Sequence, residues 1–462
     1  MNVSLALFSC LLAAVAVQGA EPPKQGGFET VGLYVWRDSP DQHAFWKACG
    51  INTLQFCDTH WSLRVDRLDD YYTQFAQDVE SARKSGFRVY VILFSNIAQW
   101  QGPAEREPTG MGVLFDPREQ WALDERLASI RKAVRALRHA DGFTFIAGDP
   151  GGAIGAKFGA RTTDDWVNMA QKVRQVVHRE APHAEFNVNP WAITYWQCPG
   201  VSCDSSEWWI QETTLTRRVL AAPDLIGPEY GVELPGHNYY RAMALRNFHK
   251  EGLSPRPFPA KNDVQRLHAR GTKRVWAWPY FLLDEADDGD VGPDGRILPG
   301  TQVETRYIRQ MVNRMRGIGM NGIIGNWSYA GYLPKALNTY AFGRFCTDPQ
   351  ATSESVINEY ARCVADAATW SDLAQVLRFI ENRSNWQRKL PPTKRLSNLP
   401  CRLGTVNAAQ EALRSVVANR RPSFALPEPP SAYLQRLQNR LRTEALREAD
   451  TSVPIPRSNP SP

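Results

Sequence analysis

The chain has 462 residues, of which 43% are hydrophobic and 22% charged, so it exceeds one ordinary domain and can bury a large core. A net charge of +6 is spread over 54 basic and 48 acidic residues. No basic run is interleaved with aromatics, so nucleic-acid binding is not indicated, while an acidic polysaccharide partner is compatible with the charge.

Residues 1–20, MNVSLALFSCLLAAVAVQGA, are apolar and end in small residues. The apolar stretch is too short to span a bilayer. It reads as a secretory signal cleaved near Gly19 or Ala20, which makes the protein secreted or periplasmic. No later segment reads as a membrane span. Export favours cysteine pairing, and removal of the leader leaves seven cysteines. Cys198 and Cys203 flank a loop short enough for one disulfide to close. Cys49 with Cys57, and Cys346 or Cys401 with Cys363, are further possible pairs. There is no C-x-x-C and no His at ligand spacing, so no zinc site is expected.

A Pro/Gly-rich lead-in over residues 21–27 precedes a regular alternation. Strands are predicted at 30–36, 52–57, 87–94, 142–147, 184–188, 224–227, 274–280 and 322–324. Helices are predicted at 41–49 with Asp41 as cap, 67–85 closed by Gly86, 117–139, and 163–180 capped by Thr162 or Thr163. They continue at 205–221, 238–251 with 262–269, 303–317 and 333–345. Eight strands and eight helices in alternation imply parallel βαβ units closing into an α/β (β/α)8 TIM barrel over 28–346. An open doubly wound sheet would carry a Gly-rich dinucleotide fingerprint after its first strand, and VGLYVWRDSPD supplies none. No cofactor is expected. A C-terminal α-helical region over 347–450 follows, with helices at 353–367, 371–382, 408–419 and 431–448. The Pro/Ser-rich tail 451–462 reads as disordered.

In such a barrel the active site lies at the C-terminal ends of the strands. That rule reduces the acids to Asp58, Asp149, Glu229, Asp284 and Glu285. The stretch GFTFIAGDPGG delivers Asp149 from an apolar strand to a Gly-rich turn that lets a ligand approach closely. Partial burial would raise its pKa and suit a general acid. Glu229, in GPEYG, is the expected base or nucleophile, with a structural ion pair to a rim Arg as the alternative. Asp284 and Glu285, beyond the seventh strand, compete for that role. The acidic loop 284–294 lacks the closing Glu of an EF-hand, so calcium is a secondary reading. Substrate-binding candidates at the same rim are Trp36, Asp58, His60, Asn189, Trp191, Tyr230, Trp278, Tyr280, Asn326 and Trp327. Paired carboxylates with aromatic faces are what glycosidic-bond hydrolysis requires. Neither a G-x-S-x-G elbow nor H-E-x-x-H is present.

The segment 337–363, LNTYAFGRFCTDPQATSESVINEYARC, resembles the join between barrel and helical region in the α-glucuronidase-like glycoside hydrolases. The resemblance implies a barrel glycosidase with acids at strand ends and a helical region behind it. The chain shows Asp rather than Glu after the fourth strand and no N-terminal sandwich domain, so the superfamily carries over and the α-glucuronidase activity does not. The expected function is an exported glycoside hydrolase-like enzyme cleaving a poly- or oligosaccharide. The alternatives are a non-catalytic carbohydrate-binding barrel and a polysaccharide lyase. Oligomeric state is left open.

Overall fold

The computed structural model describes residues 27–58, 68–95, 118–147, 162–194, 206–222, 225, 227–235, 259–279, 290–291, 297–298, 303–326, 336–382 and 401–418, and, near the C-terminus, 435, 437–439, 441–442 and 445. The leader 1–20, the helix 238–251, the Cys198 to Cys203 loop and the tail 451–462 lie outside the described residues.

Eight parallel strands form a closed barrel. They are β1 (Thr30–Val35), β2 (Thr53–Cys57), β3 (Arg88–Phe94), β4 (Gly142–Ile146), β5 (Glu185–Asn189), β6 (Tyr230–Leu234), β7 (Arg274–Ala277) and β8 (Gly322–Asn326). Each pairs with its neighbour in sequence, and β8 closes on β1. The helices that follow them are α1 (His43–Ala48), α2 (Leu68–Lys84), α3 (Gln120–Ala136), α4 (Thr163–Glu180), α5 (Ser206–Ala221), α6 (Lys261–Ala269), α7 (Thr305–Gly317) and α8 (Ala336–Thr347). After the barrel come α9 (Ser353–Val364), α10 (Trp370–Asn382) and α11 (Val406–Ala418). No helix among the described residues is long and apolar enough to cross a membrane.

The two-residue period of a strand sends alternate side chains to the two faces of the barrel wall. Outward residues such as Leu33, Phe56, Val91, Phe145 and Val232 join the main core under the helices. Helix α4 meets them with Trp166, Ala170, Val173 and Val177 at helical spacing, and Trp166 stacks on Phe145 at 5.5 Å. Inward residues form a second cluster of Tyr34, Tyr90, Ile92, Phe94, Ile146, Trp276, Trp278 and Ile324. The lumen is filled by setting large side chains beside glycines. A Cβ on Gly142 would lie 2.3 Å from the ring of its register partner Tyr90, and one on Gly322 would lie 2.3 Å from Trp276.

Several helix ends follow the sequence signals. Thr162 accepts from the Asp165 amide at 3.2 Å, and Asp165 accepts from the Thr162 amide at 2.9 Å, a reciprocal cap for α4. Gly86, with φ 81°, closes α2. Asp41 does not cap α1: it sits inside the short 3₁₀ turn Pro40–Gln42 and accepts from the Gln42 side chain instead.

The largest displacement from expectation is the sixth strand, which runs Tyr230–Leu234 rather than 224–227. Expected pairings of Cys49 with Cys57, and of Cys363 with Cys346 or Cys401, are absent: none of these five cysteines forms a disulfide. Cys57 faces the lumen, whereas Cys49 packs in the outer core, so the barrel wall separates them.

The C-terminal helices dock through two tight contacts. Gly343 of α8 lies flush against the turn after α1, where an added Cβ would sit 1.7 Å from the Cys49 carbonyl oxygen. Glu381 of α10 is fully buried and caps α7 from outside the barrel. It accepts from the Arg306 amide at 2.9 Å and the Thr305 hydroxyl at 3.0 Å, and pairs with the Arg306 guanidinium at 3.6 Å. Replacing Glu381 by Ala removes the acceptor of a buried helix start and the carboxylate partner of Arg306, which keeps its hydrogen bond to Asn382. We expect Glu381→Ala to lower unfolding free energy by about 3 kcal/mol in a urea titration.

Candidate functional site

The inward alternation of β6 places Gly231 and Glu233 in the lumen, between outward Tyr230, Val232 and Leu234. Glu233 is one residue from the C-terminal end of its strand and fully buried. A carboxylate there is tolerated only if donors replace its water. Gln55 Nε2 donates to both of its oxygens at 2.9 Å. The Thr144 hydroxyl donates at 2.7 Å, Asn187 Nδ2 at 3.0 Å and Asn189 Nδ2 at 3.4 Å. These partners come from β2, β4 and β5, so one carboxylate ties a wide arc of the barrel. Burial pushes its pKa above the ordinary carboxylate range, and the hydrogen bonds oppose the shift.

Aromatic side chains stand above this polar floor. Trp278, just after β7, donates its indole N–H to Gln55 Oε1 at 2.9 Å. Its ring meets Tyr34 edge-on at 5.6 Å and Trp191 at 6.5 Å. Trp36 and Trp191 are half-buried at the edge of the lumen cluster. Trp191 follows β5 in a turn where Asn189 Oδ1 accepts its N–H at 3.0 Å, and it packs edge-on against Trp208 of α5 at 5.6 Å. The next residue, Ala192, has φ 65°, the only positive φ outside glycine among the described residues.

At the opposite, N-terminal end the lumen is closed by charge. Glu185 accepts from Arg88 at 2.7 Å and from the Tyr90 hydroxyl, and Arg274 lies 3.4 Å away. Arg274 Nε also donates to Asn187 Oδ1 at 3.1 Å, which links this plug to the Glu233 floor.

The structure brings Trp36, Asn189, Trp191 and Trp278 together at the C-terminal mouth. It does not bring Glu229 or Tyr230 there. Both precede or begin β6, at the N-terminal end, because the strand starts later than expected. Glu229 is exposed and paired with Arg174 at 2.7 Å, and the same guanidinium lies over the Tyr230 ring at 4.8 Å. Asp58 follows β2 at the correct end but faces outward. It is fully buried, accepts from the Tyr72 hydroxyl at 3.2 Å, and sits beside the buried Arg126, which itself donates to the last carbonyl of β3 at 2.8 Å. Asp58 therefore fastens α2 and α3 to the barrel rim rather than facing a ligand. Asn326 ends β8. Asp149, His60, Tyr280, Asp284, Glu285 and Trp327 lie outside the described residues.

No protein-family model matches the chain, and no curated protein matches it. Solved structures do match in fold. A 4-O-methyl-α-glucuronidase of family GH115, BtGH115A, described as specific for decorated arabinogalactans, superposes with a TM-score of 0.53 at 10% identity, over 92% of this chain and 58% of its own. CpGH84B superposes at 0.49 and 10% identity, over 90% of this chain and 66% of its own. An O-GlcNAc hydrolase mutant of Thermobaculum terrenum superposes at 0.44 and 9% identity, over 85% of this chain and 77% of its own. The chain thus spans less than two thirds of the length of BtGH115A and of CpGH84B. It shares the (β/α)8 barrel architecture of glycoside hydrolases, followed by helices.

Glu233 of β6 and Glu229 just before it separate cleanly in a stability experiment. Glu233→Ala removes the acceptor for four buried donors and should cost about 3 kcal/mol in denaturant unfolding. Glu229→Ala breaks only an exposed pair and should cost less than about 1 kcal/mol.

Proposed function

We propose that the protein is an exported glycoside hydrolase-type enzyme that binds a poly- or oligosaccharide at the C-terminal mouth of the barrel. The observation that carries this reading is the pairing of a polar floor with an aromatic wall: Gln55, Asn187 and Asn189 organised by Glu233, beneath Tyr34, Trp36, Trp191 and Trp278. Sugars offer hydroxyls to such a floor and apolar ring faces to such a wall.

Both oxygens of Glu233 are filled by neutral donors, so it is assigned as the positioning residue of the floor rather than as a nucleophile. Asp149 is proposed as the general acid. It stands two residues beyond Ala147, whose N–H pairs with the Asn189 carbonyl at the C-terminal end of β4 and β5. Asp284 or Glu285 is proposed as the second carboxylate, which attacks the anomeric carbon or takes a proton from the water that does, while Asp149 gives its proton to the leaving glycosidic oxygen. The export proposal rests on residues 1–20 alone.

The test is turnover of a panel of aryl glycosides and plant or microbial polysaccharides by the full chain. Asp149→Asn should lower kcat by about 10² to 10⁴ with glycan binding kept. Glu229→Gln should leave kcat unchanged. Full activity of Asp149→Asn on a cleaved glycan would overturn the assignment. Binding without turnover would replace it with a non-catalytic carbohydrate-binding barrel, and ultraviolet-absorbing unsaturated products would replace it with a lyase.

A further inference from the structure

Glu212 is a fully buried carboxylate on α5 with no part in the floor around Glu233. It points at the turn that follows β5. Its Oε1 accepts the Ala192 N–H at 2.8 Å and its Oε2 the Thr194 N–H at 2.9 Å. Between those two amides the chain adopts the left-handed backbone of Ala192, which an L-residue with a Cβ avoids unless its surroundings enforce it. The residue before is Trp191, and the turn begins at Asn189. These are the aromatic and amide groups that reach Trp278 and Glu233 at the mouth.

We propose that Glu212 is a positioning residue for the mouth of the barrel: its carboxylate holds the left-handed turn at Ala192 and so sets the places of Trp191 and Asn189. The same helix supplies Trp208, whose ring backs Trp191, so α5 fixes this wall from both its backbone and its side-chain contacts. The consequence for sugar binding rests on the proposed function, whereas the geometry of the turn does not.

Protonation should show in the turn. Among the described residues, the groups that bond Glu212 are the backbone N–H groups of residues 192–194 and the Thr194 side chain. Burial pushes its carboxyl from the ordinary 4.5 up to about 7, against those hydrogen bonds. Below that pH one oxygen carries a proton and no longer serves its amide as acceptor, so the turn loosens. Global stability moves the other way. Because the folded pKa is raised, this group's contribution is full below about 4.5 and is lost as pH rises through about 7. The stability profile follows from the shifted pKa whatever the role of Glu212, so the readout that tests positioning is the order of the Trp191 turn.

The experiment is near-ultraviolet circular dichroism of the full chain from pH 5 to 9, with Trp208→Phe assigning the Trp191–Trp208 band. Glu212→Gln should keep the far-ultraviolet spectrum, lose about half or more of that band at pH 8, abolish its pH dependence, and weaken glycan binding about tenfold. Glu212→Ala should lose the band as well, and Ala192→Gly added to it should restore part, because glycine adopts the left-handed turn unaided. An unchanged band and pH profile in Glu212→Gln overturns the proposal, also where Glu212→Ala does not fold. If the wild-type protein binds no glycan, the proposed function fails and the spectroscopic comparison still decides this one.

Discussion

Glu233 carries an ionisable group into a lumen that excludes water, and such a group persists only where donors surround it. Four do, from three strands, and each is itself a polar residue placed at an inward position that the rest of the barrel would fill with hydrocarbon. Gln55 in turn needs an acceptor role for its oxygen, which the Trp278 indole satisfies. One buried acid thus fixes the identity of an entire layer and orients the aromatic side chain above it. A network of this kind is costly when half-satisfied, so its completeness selects one register for the strands that contribute to it.

The same network divides the barrel into two ends of different character. Below the floor, Arg88, Tyr90 and Arg274 converge on the one carboxylate of Glu185. Asn187 is the junction, taking a hydrogen bond from Arg274 and giving one to Glu233. The neutral amide passes orientation upward without passing charge. Among the described residues, the N-terminal end therefore carries the charged groups and the C-terminal end the amides and indole rings, the end where barrels of this type place their sites.

Much of the barrel was legible in the sequence because strands such as β3 are apolar runs and helices such as α4 carry a cap, Thr162 with Asp165. The sixth strand was not. Its true segment, YGVEL, carries a glycine and an acid at the two inward positions, so it reads as a polar turn, while the apolar residues at 225–226 read as the strand. The displacement of the strand start by six residues moved Glu229 from one end of the barrel to the other and hid Glu233. Strict period-two counting would have found more. Gln55 and Cys57 face inward, so Asp58 must face outward, and Asn189 must share the face of Asn187. Glu212 gave no local signal at all, because its partners are backbone amides of another segment.

The chemistry at the mouth narrows what the site suits. Among the described residues, the cations nearest the lumen, Arg88 and Arg274, lie at the plugged end and are engaged by Glu185, and Arg126 is turned outward toward Asp58 and the β3 carbonyl. What faces upward is neutral: amides, a hydroxyl and indole rings. Amides and hydroxyls match the paired donor and acceptor character of sugar hydroxyls, and indole faces match the axial C–H surface of a pyranose. An anionic ligand would find no counter-charge in this layer and would have to lose its hydration against neutral dipoles alone. If the proposed function holds, the described floor suits the uncharged part of a glycan rather than an acidic group.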